Sequence, residues 1–246
     1  MTADTAATGL LFRADAYRRE APARVVALTA EGGIVPDASL FYPTGGGQPG
    51  DSGWLDWPGG RLRIATTVKA AGGTVVLVPE AGQDLPAVGT AVTQHLDWDR
   101  RHRLMRVHTA LHLLSVVIPR PVTGGQIGED RGRLDFDMPE PPADVAALEA
   151  ALNALIARDL PVGEDWITDA ELAANPGLVK TLSVAPPVGQ GRVRLVRIGD
   201  AAAPVDLQPC GGTHVARTGE IGRVTIGRIE NKGRQNRRVT LHLASD

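Results

Sequence analysis

Three of the six histidines and the only cysteine of this 246-residue chain fall into two short motifs. His108 and His112 are four residues apart in a segment with helical spacing of apolar residues, so both imidazoles project from one face of the predicted helix. Cys210 and His214 repeat this spacing in a glycine-rich segment, which can fold a thiolate and an imidazole around one centre. A thiolate combined with imidazoles is typical of zinc. The sequence therefore predicts a zinc site with these four residues as candidate ligands.

The spacing leaves the role of the metal open. Three protein ligands leave a position for a water whose pKa can fall to about 7, whereas four close the site and indicate a positioning or structural metal. A zincin needs a glutamate where Thr109 stands, and a zinc nucleobase deaminase needs a second cysteine. A hydrolase with Cys210 as nucleophile remains open, but it leaves the histidine pair unexplained. Asp51 and Asp206 are open candidates for proton handling.

A glycine-rich string is the most unusual segment of the first part of the chain. Gly45, Gly46 and Gly47 are consecutive and Gln48 follows them. Consecutive glycines let backbone N–H groups approach a ligand, and a glutamine offers donors and acceptors that can orient a substrate or a water. No lysine follows, so the string is not a phosphate-binding P-loop. The alternative interpretation is a long surface hairpin turn. Residues 123–126 form a second cluster of threonine, glycine and glutamine. This cluster could also be a simple loop between a helix and a strand.

Basic residues are concentrated late in a chain whose net charge is only −2. Seven basic residues lie from Arg217 to Arg238, where Glu220 and Glu230 are the only acidic residues. The sequence of residues 231–238 predicts a basic hairpin loop. Four more arginines, at positions 100, 101, 103 and 106, precede the zinc motif. Such runs of charge usually form solvent-exposed surfaces of a protein. They are also what a protein needs to bind the phosphate backbone of a nucleic acid. Aromatic residues make up only 4% of the chain, which argues against base stacking as the main mode of binding.

The elements that must position these residues indicate an α+β fold with two domains. Up to about residue 92, short apolar runs separated by glycine and proline favour a small β-barrel or sandwich. From Asp97 to Ile118 the apolar spacing is helical, a second helix is predicted over Asp144–Arg158, and Thr168 with Glu171 predicts a capping box for a third. The sequence thus predicts a domain at 1–92 and a second at 93–246. The predicted strands of the second domain are Arg133–Phe136, Val193–Ile198, Gly222–Glu230 and Arg238–Leu243.

The composition also bounds the setting of the protein. A single cysteine excludes an intramolecular disulfide, and the longest apolar stretch, Leu111–Ile118, is too short for the roughly 20 residues of a membrane helix. The N-terminus has no signal-peptide pattern. We therefore expect a cytoplasmic protein without a membrane contact, and the sequence leaves its oligomeric state open.

Three strings coincide with those of a known family. They are 41–43 with 45–48, His108-x-x-x-His112, and 210–214 followed by 219–222. On these the chain resembles the freestanding alanyl-tRNA editing proteins of the AlaX group, especially the medium-length members, and the related editing domain of alanyl-tRNA synthetase. The resemblance spans roughly residues 24 to 243. It implies an N-terminal β-barrel domain followed by an α/β zinc-binding editing domain of the threonyl/alanyl-tRNA synthetase second additional domain type.

The resemblance implies a trans-editing hydrolase that deacylates tRNA(Ala) mischarged with serine, and in some members with glycine, without ATP. His108, His112, Cys210 and His214 correspond to its zinc ligands, Gln48 to the glutamine of its glycine-rich motif, and Thr123 to a threonine that reads the serine hydroxyl. We expect Gln48 and Thr123 to be catalytic. The expected substrate-binding residues are Gly45, Gly46, Gly47, Lys232, Arg234, Arg237 and Arg238.

Two other functions remain open at this point. One is a zinc hydrolase of another ester or amide, and the other is a non-catalytic tRNA-binding module with a structural zinc. Editing has a physical rationale, because a pocket for alanine cannot strongly reject a slightly smaller or isosteric amino acid. A second site that hydrogen-bonds the serine hydroxyl leaves its polar groups unpaired with alanine, and so discriminates strongly.

Overall fold

Six strands of the first part of the chain close into a β-barrel in the order β2-β3-β7-β6-β5-β8. The computed structural model describes residues 7–182 and 191–244. The chain divides into two compact units, Met1–His102 and Arg103–Asp246, and the barrel belongs to the first. The helices and strands of this unit that precede helix α2 (Trp98–Val117) are β1 (Gly9–Leu10), α1 (Leu11–Ala14), β2 (Glu20–Leu28), β3 (Ile34–Pro36), β4 (Ala38–Ser39), β5 (Gly53–Trp57), β6 (Gly60–Lys69), β7 (Val75–Pro79) and β8 (Ala91–Leu96).

The barrel encloses its own apolar core. Ile34, Leu55, Ile64 and Leu77 come from different strands, and none of them is exposed to solvent. Alternate residues of a strand point to opposite faces, so the short apolar runs of this region supply one buried side chain at every second position. The α+β class and the N-terminal barrel predicted from the sequence are confirmed.

Helix α2 (Trp98–Val117) carries the first histidine motif. Asp97 precedes it, and its carboxylate accepts a hydrogen bond from the Arg100 amide at 3.4 Å, as a helix N-cap does. The apolar side chains Leu104, Val107 and Leu114 are buried. The helix predicted over 97–118 is therefore confirmed to within a residue at each end.

Two antiparallel sheets and two further helices complete the second unit. The first sheet has the strand order β14-β16-β10-β9, and β15 also pairs with β16. The second sheet has the strand order β11-β12-β13. The remaining elements are β9 (Val122–Ile127), β10 (Arg131–Asp137), α3 (Val145–Ala157), β11 (Val162–Ile167), α4 (Asp169–Ala174), β12 (Val193–Asp200), β13 (Ala203–Pro209), β14 (Val224–Ile226), β15 (Glu230–Asn231) and β16 (Asn236–Leu243). Both predicted helices are present, with Asp144 as the N-cap of α3 and a Thr168/Glu171 capping box on α4.

Several strands of the second unit differ from the sequence-based expectation. The predicted strand 222–230 is broken into β14 and β15, and residues 227–229 lie in neither. The cluster 123–126 is part of strand β9 and not a loop, since Gly124 and Gly125 pair with Asp135 and Leu134 of β10. Pairing thus overrides the low strand propensity of glycine there. Strands β11 and β13 also lie outside the strands predicted from the sequence.

The helices of the described residues are all too short or too polar to cross a membrane. The domain boundary at 92/93 stays a prediction.

Candidate metal centre

The two histidine motifs meet in the second unit. One ligand atom from each of His108, His112, Cys210 and His214 lies within 4.8 Å of the other three. Cys210 Sγ is 3.5 Å from His108 Nε2 and 3.3 Å from His214 Nε2. The three histidines are buried, and Cys210 is half-buried. The structure thus brings together all four ligands proposed from the sequence, in a cluster that can hold a metal ion.

Helix α2 and the loop after strand β13 supply these side chains. His108 and His112 project from one face of α2, and their ring centroids are 5.2 Å apart. Cys210 follows the last residue of β13 directly, and the Arg194 guanidinium of β12 donates to the backbone carbonyls of Cys210 and Gly212. The Gly212 amide donates to Cys210 Sγ at 3.4 Å. These contacts hold the cysteine loop against strand β12.

His214 has a buried hydroxyl behind its ring. Thr109 Oγ1 lies 3.1 Å from His214 Nδ1, and the same hydroxyl donates to the Met105 carbonyl one helical turn earlier, at 2.9 Å. The Val215 amide also donates to Thr109 Oγ1, at 3.3 Å. Thr109, the residue that excludes a zincin motif, therefore ties α2 to the loop that carries His214.

A buried carboxylate contacts the ring of His112 in the way that the Thr109 hydroxyl contacts the ring of His214. Asp206 Oδ2 is 3.0 Å from His112 Nδ1. The same carboxylate accepts from Lys180 Nζ at 2.5 Å and from Gln208 Nε2 at 2.7 Å. The side chain of Asp206 is completely buried. This polar network is built from strand β13, helix α2 and the segment after α4.

The charges of the cluster shift the pKa values of its members. Burial alone would raise the pKa of the Cys210 thiol, but the imidazoles of His108 and His214 lower it well below its ordinary value of 9.0. Burial, helped by the charge of His108, lowers the pKa of His214 well below 6.5. Burial would also lower the pKa of His112, but hydrogen bonds with Asp206 and Cys210 raise it to about 9. The surroundings of Cys210 thus favour its thiolate form, and a bound cation would displace the proton of His112 because a ligand must be deprotonated.

Asp206 is a weak base in this setting. Burial alone would raise its pKa, but the hydrogen bond from His112 and the charge of Lys180 lower it to about 2. The group stays ionised at neutral pH and has little tendency to accept a proton. Proton handling by Asp206, one of the open candidates, is therefore disfavoured.

Sequence reasoning missed the supporting residues Thr109, Lys180 and Gln208. A signal was present in strand β13, since positions 206, 208 and 210 are polar and alternate along the strand. Alternate residues of a strand share a face, so Asp206 and Gln208 are expected on one face of β13, and Cys210 directly after the strand continues that pattern. Lys180 lies far from the motifs in sequence, and no local pattern indicates it.

The glycine-rich segment lies in the first unit and forms a short turn whose tip, Gly46 and Gly47, is exposed, while buried residues lie on either side of it. Gln48 and Phe41 are completely buried, and Asp51 is almost so. The backbone groups of Gly45 and Gln48 bond to each other in both directions at 3.0 Å, and the turn between them needs positive φ at Gly46 and Gly47. The turn thus contains Gly45, Gly46 and Gly47, which are predicted to bind substrate, and Gln48, which is predicted to be catalytic.

A buried ion pair holds the end of that segment. The Arg101 guanidinium, which is not exposed at all, donates to the carboxylate of Asp51 and to the carbonyls of Ala16 and Leu40. The Asp51 carboxylate also accepts from the Tyr42 amide at 2.5 Å. Asp51 thus braces the loop, and Arg101 is not available to a phosphate, contrary to the idea that the arginines before the zinc motif form a substrate face.

Thr123 occupies a bulge in strand β9. The register between β9 and β10 shifts between Asp135 and Phe136, which leaves Thr123 as the extra residue. Its hydroxyl donates to the Asp135 carbonyl at 3.1 Å and accepts from Asn236 Nδ2 at 2.9 Å. The structure thus places Thr123 beside the first residue of β16, at the base of the basic hairpin.

The basic hairpin has the predicted form, with β15 paired to β16, but its side chains differ in their surroundings. Arg238 binds the Asp135 carboxylate, and Arg237 donates to the carbonyls of Gly233 and Pro139. Lys232 pairs with Glu230 at the surface. Arg234 is exposed and forms no ion pair with any described residue. Arg237 and Arg238 therefore have a structural part in the hairpin, whereas Lys232 and Arg234 point outward from it.

Two family models match the chain. Residues 193–240, which include Cys210 and His214, match the threonyl and alanyl tRNA synthetase second additional domain. Residues 14–100, which include the glycine-rich segment, match the class II (A) tRNA synthetases.

Individual relatives cover almost the whole chain. It is 34% identical over 242 residues to the alanyl-tRNA editing protein AlaX-M of Methanosarcina acetivorans, covering 94% of this chain and 97% of that protein. With AlaX-M of Methanosarcina mazei it shares 33% identity over 246 residues, covering 96% of each. It is also 35% identical over 237 residues to the alanine–tRNA ligase of Pyrobaculum calidifontis, but the match covers only 26% of that enzyme. The chain thus spans about a quarter of the length of the ligases that it matches.

Proposed function

The chain belongs to the family of alanyl-tRNA editing proteins of the AlaX-M type, and on that premise we propose that it is a zinc-dependent hydrolase that deacylates tRNA(Ala) mischarged with serine. Glycine is the second amino acid to be tested. The reaction protects the fidelity of translation and takes place in the cytoplasm, where we expect the protein to work.

The observation that carries this proposal is the buried His₃Cys cluster. A tetrahedral zinc with bonds of about 2.0–2.3 Å separates its ligand atoms by roughly 3.3–3.6 Å. The two distances from Cys210 Sγ to ring nitrogens, 3.5 and 3.3 Å, agree with that spacing. A thiolate together with imidazoles also suits zinc better than magnesium or calcium, which prefer oxygen ligands.

A bound zinc would supply a Lewis acid that polarises a carbonyl or lowers the pKa of a water. The residues of the chain have the remaining tasks. Cys210 is half-buried and the three histidines are buried, so we propose that the ester approaches the cluster from the side of Cys210. An aminoacyl ester is already activated, so a positioned water and a stabilised oxyanion suffice to cleave it.

Recognition of the mischarged end is assigned to two segments. We propose that Gln48 and the backbone of Gly45, Gly46 and Gly47 bind the aminoacylated 3′ end, and the tight turn between Gly45 and Gln48 supports this because it fixes the direction of those amides. Thr123 is proposed to read the serine hydroxyl. Such a contact would favour serine over alanine, because alanine has no hydroxyl with which to form it.

The acceptor-stem phosphates are assigned to the basic hairpin. Lys232 and Arg234 are exposed and suited to contact phosphate oxygens. Arg237 and Arg238 add positive charge there while their guanidinium groups hold the hairpin to β10 and its neighbours.

A deacylation assay with Ser-, Gly- and Ala-tRNA(Ala) tests the proposal. We expect the zinc-loaded full chain to hydrolyse Ser-tRNA(Ala) much faster than Ala-tRNA(Ala), while a Cys210→Ala variant in the same assay provides the background. If the zinc-loaded protein leaves Ser-tRNA(Ala) intact, the proposal is wrong. Hydrolysis of simple esters that does not change when tRNA is added or removed would instead favour a zinc hydrolase with another substrate.

A structural zinc is the alternative that one observation favours. Four protein ligands within 4.8 Å of one another can close a tetrahedral site completely. In that case the protein would bind tRNA without deacylating it, and zinc loss would lower stability alone. Measuring tRNA binding and deacylation on the same zinc-loaded sample separates the two functions.

A further inference from the structure

Two of the four candidate ligands have their second ring nitrogen held by a buried oxygen atom. Asp206 Oδ2 lies 3.0 Å from Nδ1 of His112, and Thr109 Oγ1 lies 3.1 Å from Nδ1 of His214. Both oxygen-bearing residues are buried, with exposed fractions of 2% for Asp206 and 0% for Thr109. Neither oxygen belongs to the ligand cluster itself.

The chemistry of the two oxygens determines the tautomer of each ring. An ionised carboxylate only accepts hydrogen bonds, so His112 must donate from Nδ1. The single proton of Thr109 is donated to the Met105 carbonyl at 2.9 Å, so this hydroxyl accepts from Nδ1 of His214. In a neutral imidazole one nitrogen carries the proton and the other the lone pair. With the proton on Nδ1, each ring in its neutral form presents an Nε2 lone pair to the cluster, and His112 reaches that form when a bound cation displaces its second proton.

We propose that Asp206 and Thr109 are positioning residues that hold His112 and His214 in the tautomer and orientation needed to bind the metal through Nε2. The inference rests on the metal centre of the proposed function. Partners behind a ligating histidine of this kind fix its ring and raise its basicity, and losing one costs about 10- to 100-fold in metal affinity.

The two positioning residues are themselves held in place. Lys180 Nζ and Gln208 Nε2 donate to the Asp206 carboxylate at 2.5 and 2.7 Å, so its two oxygens are directed by three donors from different parts of the unit. Lys180 supplies a counter-charge, which reduces the cost of burying the carboxylate. Thr109 is fixed by its bond to Met105 and by the Val215 amide.

The experiment measures zinc affinity of the full chain by competition with a chromophoric chelator, together with the absorption spectrum of the cobalt(II) form. We expect Asp206→Leu and Thr109→Val to weaken zinc binding about 10- to 100-fold and to alter the cobalt spectrum, whereas Thr109→Ser, which keeps the hydroxyl, binds like the wild type. Asp165→Asn is the matched control, because it removes a carboxylate paired with Arg197 in the same unit without a contact to any ligand. It should leave both measurements unchanged.

A second measurement uses the wild-type protein and does not depend on a variant that folds. Long-range ¹H–¹⁵N NMR spectra of the zinc-loaded chain should show His112 and His214 protonated at Nδ1 and ligated at Nε2. The opposite tautomer in either ring overturns the assignment for that ring, and so does unchanged zinc affinity in the corresponding variant. A wild-type chain that binds no zinc contradicts the metal centre of the proposed function, whereas tight wild-type binding with unaffected variants contradicts only the positioning role.

Discussion

At the residue scale, the proposed chemistry rests on one sulfur and three imidazoles that the fold brings within 4.8 Å of one another. Cys210 is the only one of the four with substantial solvent exposure and the only soft anion among them. The pKa of its thiol is lowered by the nearby imidazoles, which favours the thiolate form that ligates a metal. The proposed zinc and the proposed reaction should therefore depend on it together.

Replacing Cys210 tests this dependence. Cys210→Ala should lower the zinc content and the rate of Ser-tRNA(Ala) deacylation in parallel, because a direct ligand should cost more than the about 10- to 100-fold typical of a residue behind a ligand. Zinc is measured by metal analysis of the purified protein, and deacylation by release of serine. His242→Gln, a histidine of strand β16 outside the cluster, is the control and should keep both. Full activity in a zinc-free Cys210→Ala protein would contradict the metal role assigned to this site.

At the element scale, loops and strands are held in place by a few buried or half-buried carboxylates. Asp51 braces the glycine-rich segment through Arg101, and Asp135 lies between Arg133 of its own strand and Arg238 of β16. The first pair is isolated from solvent, whereas the second is only partly so. The two should therefore respond differently to mutation and to pH.

Removing the buried arginine should strongly destabilise the barrel unit. Arg101→Leu leaves the Asp51 carboxylate buried without its counter-charge, and we expect a loss of about 3–5 kcal/mol in the free energy of unfolding. Urea unfolding followed by tryptophan fluorescence measures it, since Trp54, Trp57 and Trp98 lie in this unit. Adding Asp51→Asn to Arg101→Leu should recover part of the loss. If the double variant is no better than the single one, an unpaired buried charge is not the cause.

Asp135 predicts a dependence of stability on acid. Although burial alone would raise the pKa of this carboxyl, hydrogen bonds from Arg238 and Arg133 lower it below its ordinary value of 3.8. A lowered pKa in the folded state means that the contribution is present above 3.8 and is lost as the pH falls through the folded value. Asp135→Asn should cost about 1–3 kcal/mol at neutral pH.

The difference between wild type and Asp135→Asn should shrink as the pH falls below 3.8. Unfolding curves of both proteins, recorded from neutral pH down to acid below that value, measure this. A difference that stays constant over that range would show that the hydrogen bonds to Asp135 do not depend on its ionisation.

The elements that the sequence predicted well are those with a local cause. The capping residues Asp144 and Thr168 and the apolar spacing of α2 act within one or two turns, so the helix ends followed from them. Strand β9 could not be foreseen, since Gly124 and Gly125 have low strand propensity and become a strand only by pairing with β10. The four candidate ligands could be predicted from residue type and spacing, and the structure brings them together. The groups behind them were not, because Lys180 meets Asp206 across a separation of 26 residues.

At the scale of the whole molecule, a net charge of −2 conceals a strongly basic hairpin. Lys232 and Arg234 are exposed there, and Arg237 and Arg238 lie behind them in strand β16. Overall charge is thus a poor guide to whether this protein binds a polyanion. If the hairpin binds tRNA as proposed, the salt dependence of binding reports how many phosphates it neutralises.

Arg234→Gln should weaken the binding of tRNA(Ala) and make it less sensitive to salt. For every phosphate that the variant no longer neutralises, the slope of log K against log salt should become shallower by about 0.7–0.9. Binding is measured by fluorescence anisotropy at several potassium chloride concentrations. Arg61→Gln, an exposed arginine of barrel strand β6, is the matched control and should leave the slope unchanged. An Arg234→Gln protein with an unaltered slope would show that this residue does not bind a phosphate.

The solitary position of Cys210 has a practical and a chemical consequence. An alkylating reagent can modify this chain at only one sulfhydryl group, and a metal bound to that sulfur blocks the reaction. Mass spectrometry after brief treatment with iodoacetamide therefore counts the metal-free molecules in a preparation, one adduct for each. With no second thiol in the chain to resolve it, a sulfenic acid formed at Cys210 can be reduced only by a thiol from another molecule. Loss of the metal under oxidising conditions would thus leave the protein dependent on the thiol pool of the cell for repair.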